Sequence, residues 1–90
     1  MSVVAAIRKQ LAALQPERLE IGDDSALHTG HAGARDGGGH FRVTIVSARF
    51  AGRSTIARHR LVYHALGDIM KREIHAMSIV AKTPDEYSAS

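Results

Sequence analysis

Ninety residues suffice for one domain with one modest core and are too few for two. With 44% hydrophobic and 23% charged residues the composition is that of a folded globular chain, and the absence of cysteine excludes a disulfide framework or any thiolate ligand supplied by this chain. A net charge of +3 with neutral histidines says little about partners by itself. No apolar run approaches the roughly 20 residues that cross a bilayer. Val3 to Ile7 is interrupted by Arg8 and Lys9 before it can serve as a secretory core, so the expectation is a soluble, unexported, cytoplasmic protein without membrane partners.

Ser2 is placed to cap a first helix in which Val3, Val4, Ile7, Leu11 and Leu14 recur at helical spacing, and Pro16 marks its end. An extended segment from Leu19 to Asp23 follows. From Asp24 to Gly39 no periodicity holds; this long loop carries five of the eight glycines together with His28 and His31, and such loops in a small domain are functional or disordered. His40 to Val46 alternates as a half-buried strand, with Phe41, Val43 and Ile45 inward and His40, Arg42 and Thr44 outward. After a turn through Ser47 to Gly52, the spacing predicts one helix from about Ser54 to Lys71, with Ile56, Val62, Leu66, Ile69 and Met70 as its apolar positions. His75 to Lys82 reads as a last strand bounded by Pro84, with His75, Met77, Ile79 and Ala81 on one side. A single domain over 1–84 and a loose tail over 85–90 are expected. The element order implies an α+β domain whose small sheet is covered on one face by helices, with the second and third strands parallel because a helix connects them.

Chemistry could reside in the histidines, since neutral imidazole is a common metal ligand. The set is incomplete: there is no HExxH, no cysteine pair and no second histidine pair at helical spacing, so the chain does not make a four-ligand zinc site by itself. His28 and His31 sit in a glycine-rich loop where their spacing fixes no geometry. His75 opens a strand, where water or backbone ordinarily satisfies a lone histidine. His59 lies between Arg58 and Arg60, where a partly buried imidazole joining helix to loop is the simplest reading, and His40 and His64 read as surface residues. No phosphate-binding loop and no nucleophile elbow is present. Gly30-His31-Ala32-Gly33 matches the GxxG of RNA-binding KH domains, but it lies between two strands rather than between two helices. Between Asp36 and Asp68 there is no acidic residue, while Arg42, Arg49, Arg53, Arg58 and Arg60 fall there. That stretch is either a solvated basic face or a surface for an anionic partner.

Several segments, taken in order, resemble the BolA-like family: Leu19-Glu20, Asp24-Ser25, His28, Gly30-His31-Ala32-Gly33, His40-Phe41-Arg42-Val43, Ile45-Val46-Ser47, Phe50, Gly52, Arg58-His59-Arg60-Leu61-Val62-Tyr63, Ile74-His75-Ala76-Met77-Ser78-Ile79 and Ala81-Lys82-Thr83-Pro84. The resemblance covers nearly the whole chain and is most specific in Arg-His-Arg and Ile-His-Ala. It implies a class II KH-like fold in α-β-β-α-α-β order with a mixed three-stranded sheet and no GxxG clamp between helices. It further implies a non-enzymatic adaptor that pairs with a monothiol glutaredoxin as a heterodimer. The pair would share a [2Fe-2S] cluster with glutathione, in cluster delivery and iron regulation. By position His75 matches the family's histidine-alanine ligand and His28 the loop ligand of some members, with His31 the alternative. The free chain is then expected as a monomer or weak homodimer. Where the family commonly has Thr or Ser before the strand-opening histidine this chain has Gly39, which removes no proposed ligand. Some members are described as DNA-binding transcriptional regulators, and Arg53, Arg58 and Arg60, within the Arg49 to Arg60 region, are where phosphate or partner contacts would form. The scarcity of aromatic residues, 4% of the chain, argues against a strong single-strand binder.

Overall fold

The protein is described here by a computed structural model covering residues 2–24, 39–72 and 74–89. The Ser2 side chain accepts from the Ala5 amide at 3.0 Å and so starts helix α1, Val3–Leu11, which tightens into a 3-10 turn over Ala12–Leu14. Strand β1, Arg18–Asp23, runs antiparallel to β2, Gly39–Val46. A second 3-10 turn, Ala48–Phe50, leads to helix α2, Thr55–Leu66, whose cap is Ser54 accepting from the Ala57 amide at 3.1 Å. Helix α3, Asp68–Arg72, strand β3, Ile74–Lys82, and helix α4, Pro84–Ala89, complete the chain. The sheet order is β1-β2-β3, with β2 and β3 parallel as their helical connection requires.

Alternation along the strands decides which face is dry. Leu19 and Ile21 of β1, Phe41, Val43 and Ile45 of β2, and Met77, Ile79 and Ala81 of β3 join Ile7, Leu11, Val62 and Leu66 of the helices in one core. Phe50 reaches into that core from the second 3-10 turn and is fully buried. The other face carries Glu20, Gly22, Arg42, Thr44 and Ser78. Helices therefore cover one face of a mixed three-stranded sheet, as the residue pattern predicts.

Three expectations change. The single helix over 54–71 is two helices, because Gly67 closes α2 at φ 58°, a left-handed backbone that glycine adopts without strain, and redirects the chain into α3. Ile56, expected among the buried positions, is 65% exposed: it lies on the first turn of α2, away from the stripe formed by Val62 and Leu66. The tail after Thr83 is not loose in the structure. Thr83 Oγ1 accepts from the Glu86 amide at 3.2 Å while Glu86 Oε1 accepts from the Thr83 amide at 2.9 Å, a reciprocal cap that starts α4 with Pro84 in its first turn.

Candidate functional sites at the two ends of the sheet

At one end of the sheet β1 finishes, β2 begins and β3 begins. The Asp24 amide donates to the His40 carbonyl at 2.7 Å, so the segment that follows β1 leaves beside the first turn of β2 and returns at Gly39. On the other side of β2, Gly39 pairs with Ile74 and His40 with Ala76, a register shift that leaves His75 as the extra residue between two pairs. His75 therefore enters the sheet at the end where the 25–38 segment is anchored. His28 and His31, the two candidate loop ligands, lie outside the described residues. Among the described residues no group of three His, Asp or Glu side chains is placed to hold a metal ion. With no cysteine in the chain, a side-chain donor near this end would be an imidazole or a carboxylate such as Asp24.

The open face beside this end is polar. Arg42 Nε donates to Asp24 Oδ2 at 2.7 Å, and the guanidinium lies over Gly22, where an added Cβ would meet Arg42 Nη2 at 2.7 Å. Asp24 raises the Arg42 pKa first through that hydrogen bond and then through its charge. Glu20, Ile21, Gly22, Arg42 and Thr44 line a shallow open depression there. His40, expected at the surface, is half-buried, whereas His64 is exposed as expected.

At the opposite end the chain is tied down. Ser47 is fully buried; its Oγ donates to the Leu14 carbonyl at 2.7 Å and accepts from the Arg49 amide at 3.1 Å, joining the turn after α1 to the turn after β2. The arginines of the basic stretch do not form a free row. Arg49 donates to Gln15 Oε1 at 2.8 and 3.3 Å, Arg53 Nε to the Arg49 carbonyl at 3.1 Å, and Arg58 Nε to the Arg53 carbonyl at 3.0 Å. Arg58 Nη1 also reaches the Ala81 carbonyl at 3.0 Å, and its two terminal nitrogens grip Glu86 at 2.6 and 2.9 Å. With its side chain 12% exposed, Arg58 is an internal tie, and its partner Glu86 is held at a pKa of about 2, chiefly by that hydrogen bond and then by the Thr83 amide. Arg53 and Arg60 remain exposed, and His59 between the arginines is half-buried, as its neighbours suggested. Tyr87 of α4 lies under Arg18, whose guanidinium carbon is 5.3 Å from the ring centre and which also pairs with Glu20.

The contribution of α4 and Glu86 to this end is what the reading of the sequence lacks. The signal is present in Thr83-Pro84-Asp85-Glu86, a Ser/Thr-x-x-Glu capping box with proline in its first turn.

Residues 11–86 match the family profile described as BolA-like protein. The chain belongs to the BolA-like family. It is 46% identical over 86 residues to BolA-like protein 1 of Mus musculus, covering 94% of this chain and 61% of that one. It is 42% identical to a Vibrio cholerae protein named DNA-binding transcriptional regulator BolA, over 90% of this chain and 74% of that one. The solved BolA domain of SufE1 from Arabidopsis thaliana superposes with a TM-score of 0.82 at 47% identity, covering 96% of each chain. The curated relatives are often longer: the BolA-like chain spans only 23% of an Arabidopsis SufE-like protein 1 whose name places it in chloroplasts and mitochondria. Among the described residues no helix is long and apolar enough to cross a membrane.

Proposed function

We propose that this BolA-like chain is a non-enzymatic adaptor that docks a monothiol glutaredoxin and shares a [2Fe-2S] cluster with it through His75 and one loop histidine, His28 with His31 as the alternative. The observation that carries the reading is the backbone at the open end of the sheet. The segment holding His28 and His31 is anchored at Asp24 and Gly39, and the register shift against Gly39 and His40 falls at His75. The two ends of the segment that carries the candidate loop donors thereby lie at the same end of the sheet as His75, which supports the reading. A cysteine-free chain suits half of such a site: the cluster takes four ligands, the partner's cysteine and a glutathione thiolate supply two, and two imidazoles complete the set. Imidazole in place of thiolate lowers the negative charge on the cluster and raises its potential, as in Rieske centres. The proposal does not depend on the compartment, since relatives include organellar proteins.

The test is anaerobic mixing with a cluster-loaded monothiol glutaredoxin and glutathione, followed by visible absorption and circular dichroism. A new spectrum that disappears in His75→Ala and changes in His28→Ala is the expected result. A native spectrum equal to the sum of its parts, or one that neither variant alters, overturns the ligand assignment.

A second reading, a duplex-binding regulator, is favoured by the name of the Vibrio cholerae relative and by the exposure of Arg53 and Arg60. It loses one charge as the fold stands, because both terminal nitrogens of Arg58 are held by Glu86. It predicts binding by the protein alone that weakens steeply with salt.

A further inference from the structure

Arg58 is held in place by more than its partner. Its Nε bonds the Arg53 carbonyl and Nη1 the Ala81 carbonyl, both at 3.0 Å, so the side chain is oriented by α2's approach turn and by the end of β3. What the guanidinium presents outward is its two-pronged edge, and Glu86 occupies that edge with both oxygens. This is the planar fork by which arginine recognises carboxylate and phosphate alike. Arg49 and Arg53 are exposed in the turn that leads to it, in a stretch where no acidic residue occurs between Asp36 and Asp68, whereas Arg60, two positions on along α2, leaves the helix on the other side.

The helix that brings the carboxylate is anchored only lightly. Helix α4 has six residues, none of them buried, and is too short to persist by its own hydrogen bonds. It is kept in place by its cap at Thr83, by Tyr87 under Arg18 and by Glu86 itself. Lifting α4 would leave the Arg53 and Ala81 bonds to Arg58 intact.

We propose that α4 is an autoinhibitory element: Glu86 stands in for a phosphate on Arg58, and a backbone phosphate of duplex nucleic acid takes that position when α4 lifts. The inference rests on the duplex-binding reading and adds its regulation. It also accounts for a pre-oriented, nearly buried guanidinium whose outward edge is closed by a carboxylate from a short, unburied helix.

The experiment is fluorescence anisotropy of a short labelled duplex with the full chain over a series of salt concentrations. Glu86→Gln is expected to bind roughly tenfold tighter at low salt, with a log-log salt slope steeper by about one phosphate contact. Asp85→Asn removes the same charge from the same helix without freeing Arg58, and is expected to keep the native slope. Tyr87→Ala leaves net charge unchanged and loosens α4, so it should shift affinity in the same direction as Glu86→Gln; circular dichroism establishes that each variant is folded. Equal gains in Glu86→Gln and Asp85→Asn would reduce the effect to net charge and overturn the proposal. Native binding that neither Glu86→Gln nor Tyr87→Ala strengthens overturns the gate and leaves duplex binding standing. No binding by any of the four proteins overturns both.

Discussion

The two ends of the sheet are built on different principles. At the end where β2 and β3 finish, a buried hydroxyl, a fully buried phenyl ring and a forked arginine each join elements far apart in the chain: Ser47 with Leu14, Phe50 with the core, Arg58 with Ala81 and Glu86. At the end where those strands begin, the described joins are a backbone bond from Asp24 to His40, a surface pair between Arg42 and Asp24, and a register shift at His75. Among the described residues, the side-chain ties between distant elements gather at one end, while the candidate ligands are attached at the other. That division suits the proposed adaptor, because residues proposed to meet a partner's atoms are then not also needed to hold the core.

Substitutions of the residues that tie distant elements should therefore be costly and those of the candidate ligands cheap. Phe50→Ala carries the largest expected effect, a loss of roughly 3–5 kcal/mol in chemical denaturation, since it empties a site with no solvent access. Ser47→Ala comes next at about 1–3 kcal/mol, because it strands the Leu14 carbonyl in a buried position. A Ser47→Ala variant as stable as the native chain would mean that this end is held by apolar packing alone. His28→Ala and His75→Ala should each fall within about 0.5 kcal/mol of native while altering the glutaredoxin-dependent spectrum. A histidine variant that unfolds the protein breaks the comparison, for His75 would then belong to the fold.

Much of this arrangement was readable from residue order. Alternation in His40 to Val46 names the core face of β2 correctly, and the helical connection predicts parallel pairing with β3. Local rules failed where a single residue overrides a period. Gly67 interrupts an apolar repeat that would otherwise run through Lys71, and Ile56, six positions before Val62, falls off the stripe that faces the core. Basic charge was legible as a stretch, but which arginine is free was not. That depends on Glu86, 28 positions from Arg58 in sequence, and on carbonyls that only the folded backbone presents. At the end of the candidate ligands the sequence supplies residue types, and the fold adds that His75 and the two anchors of the histidine-bearing segment lie at the same end of the sheet.

The smallest expected effect distinguishes a fixed α4 from one that lifts easily. Glu86 has its pKa lowered from 4.5 to about 2, first by the Arg58 hydrogen bond and then by the Thr83 amide. A carboxyl whose folded value lies below its unfolded one contributes stability that is fully present above about 4.5 and is lost as pH falls through about 2. Because the Glu86 side chain is 46% exposed, solvent and salt screen the pair, and the change should be confined to α4 rather than unfold the domain. Carboxyl-detected NMR should place the Glu86 midpoint near 2, with the Tyr87 ring signals shifting in parallel and those of Phe50 unmoved. A Glu86 midpoint at the ordinary carboxyl value would mean that α4 is already lifted in solution, with Arg58 open and no gate to release. If Phe50 moved with Glu86, α4 would be part of the tied end's core, and lifting it would cost the whole fold.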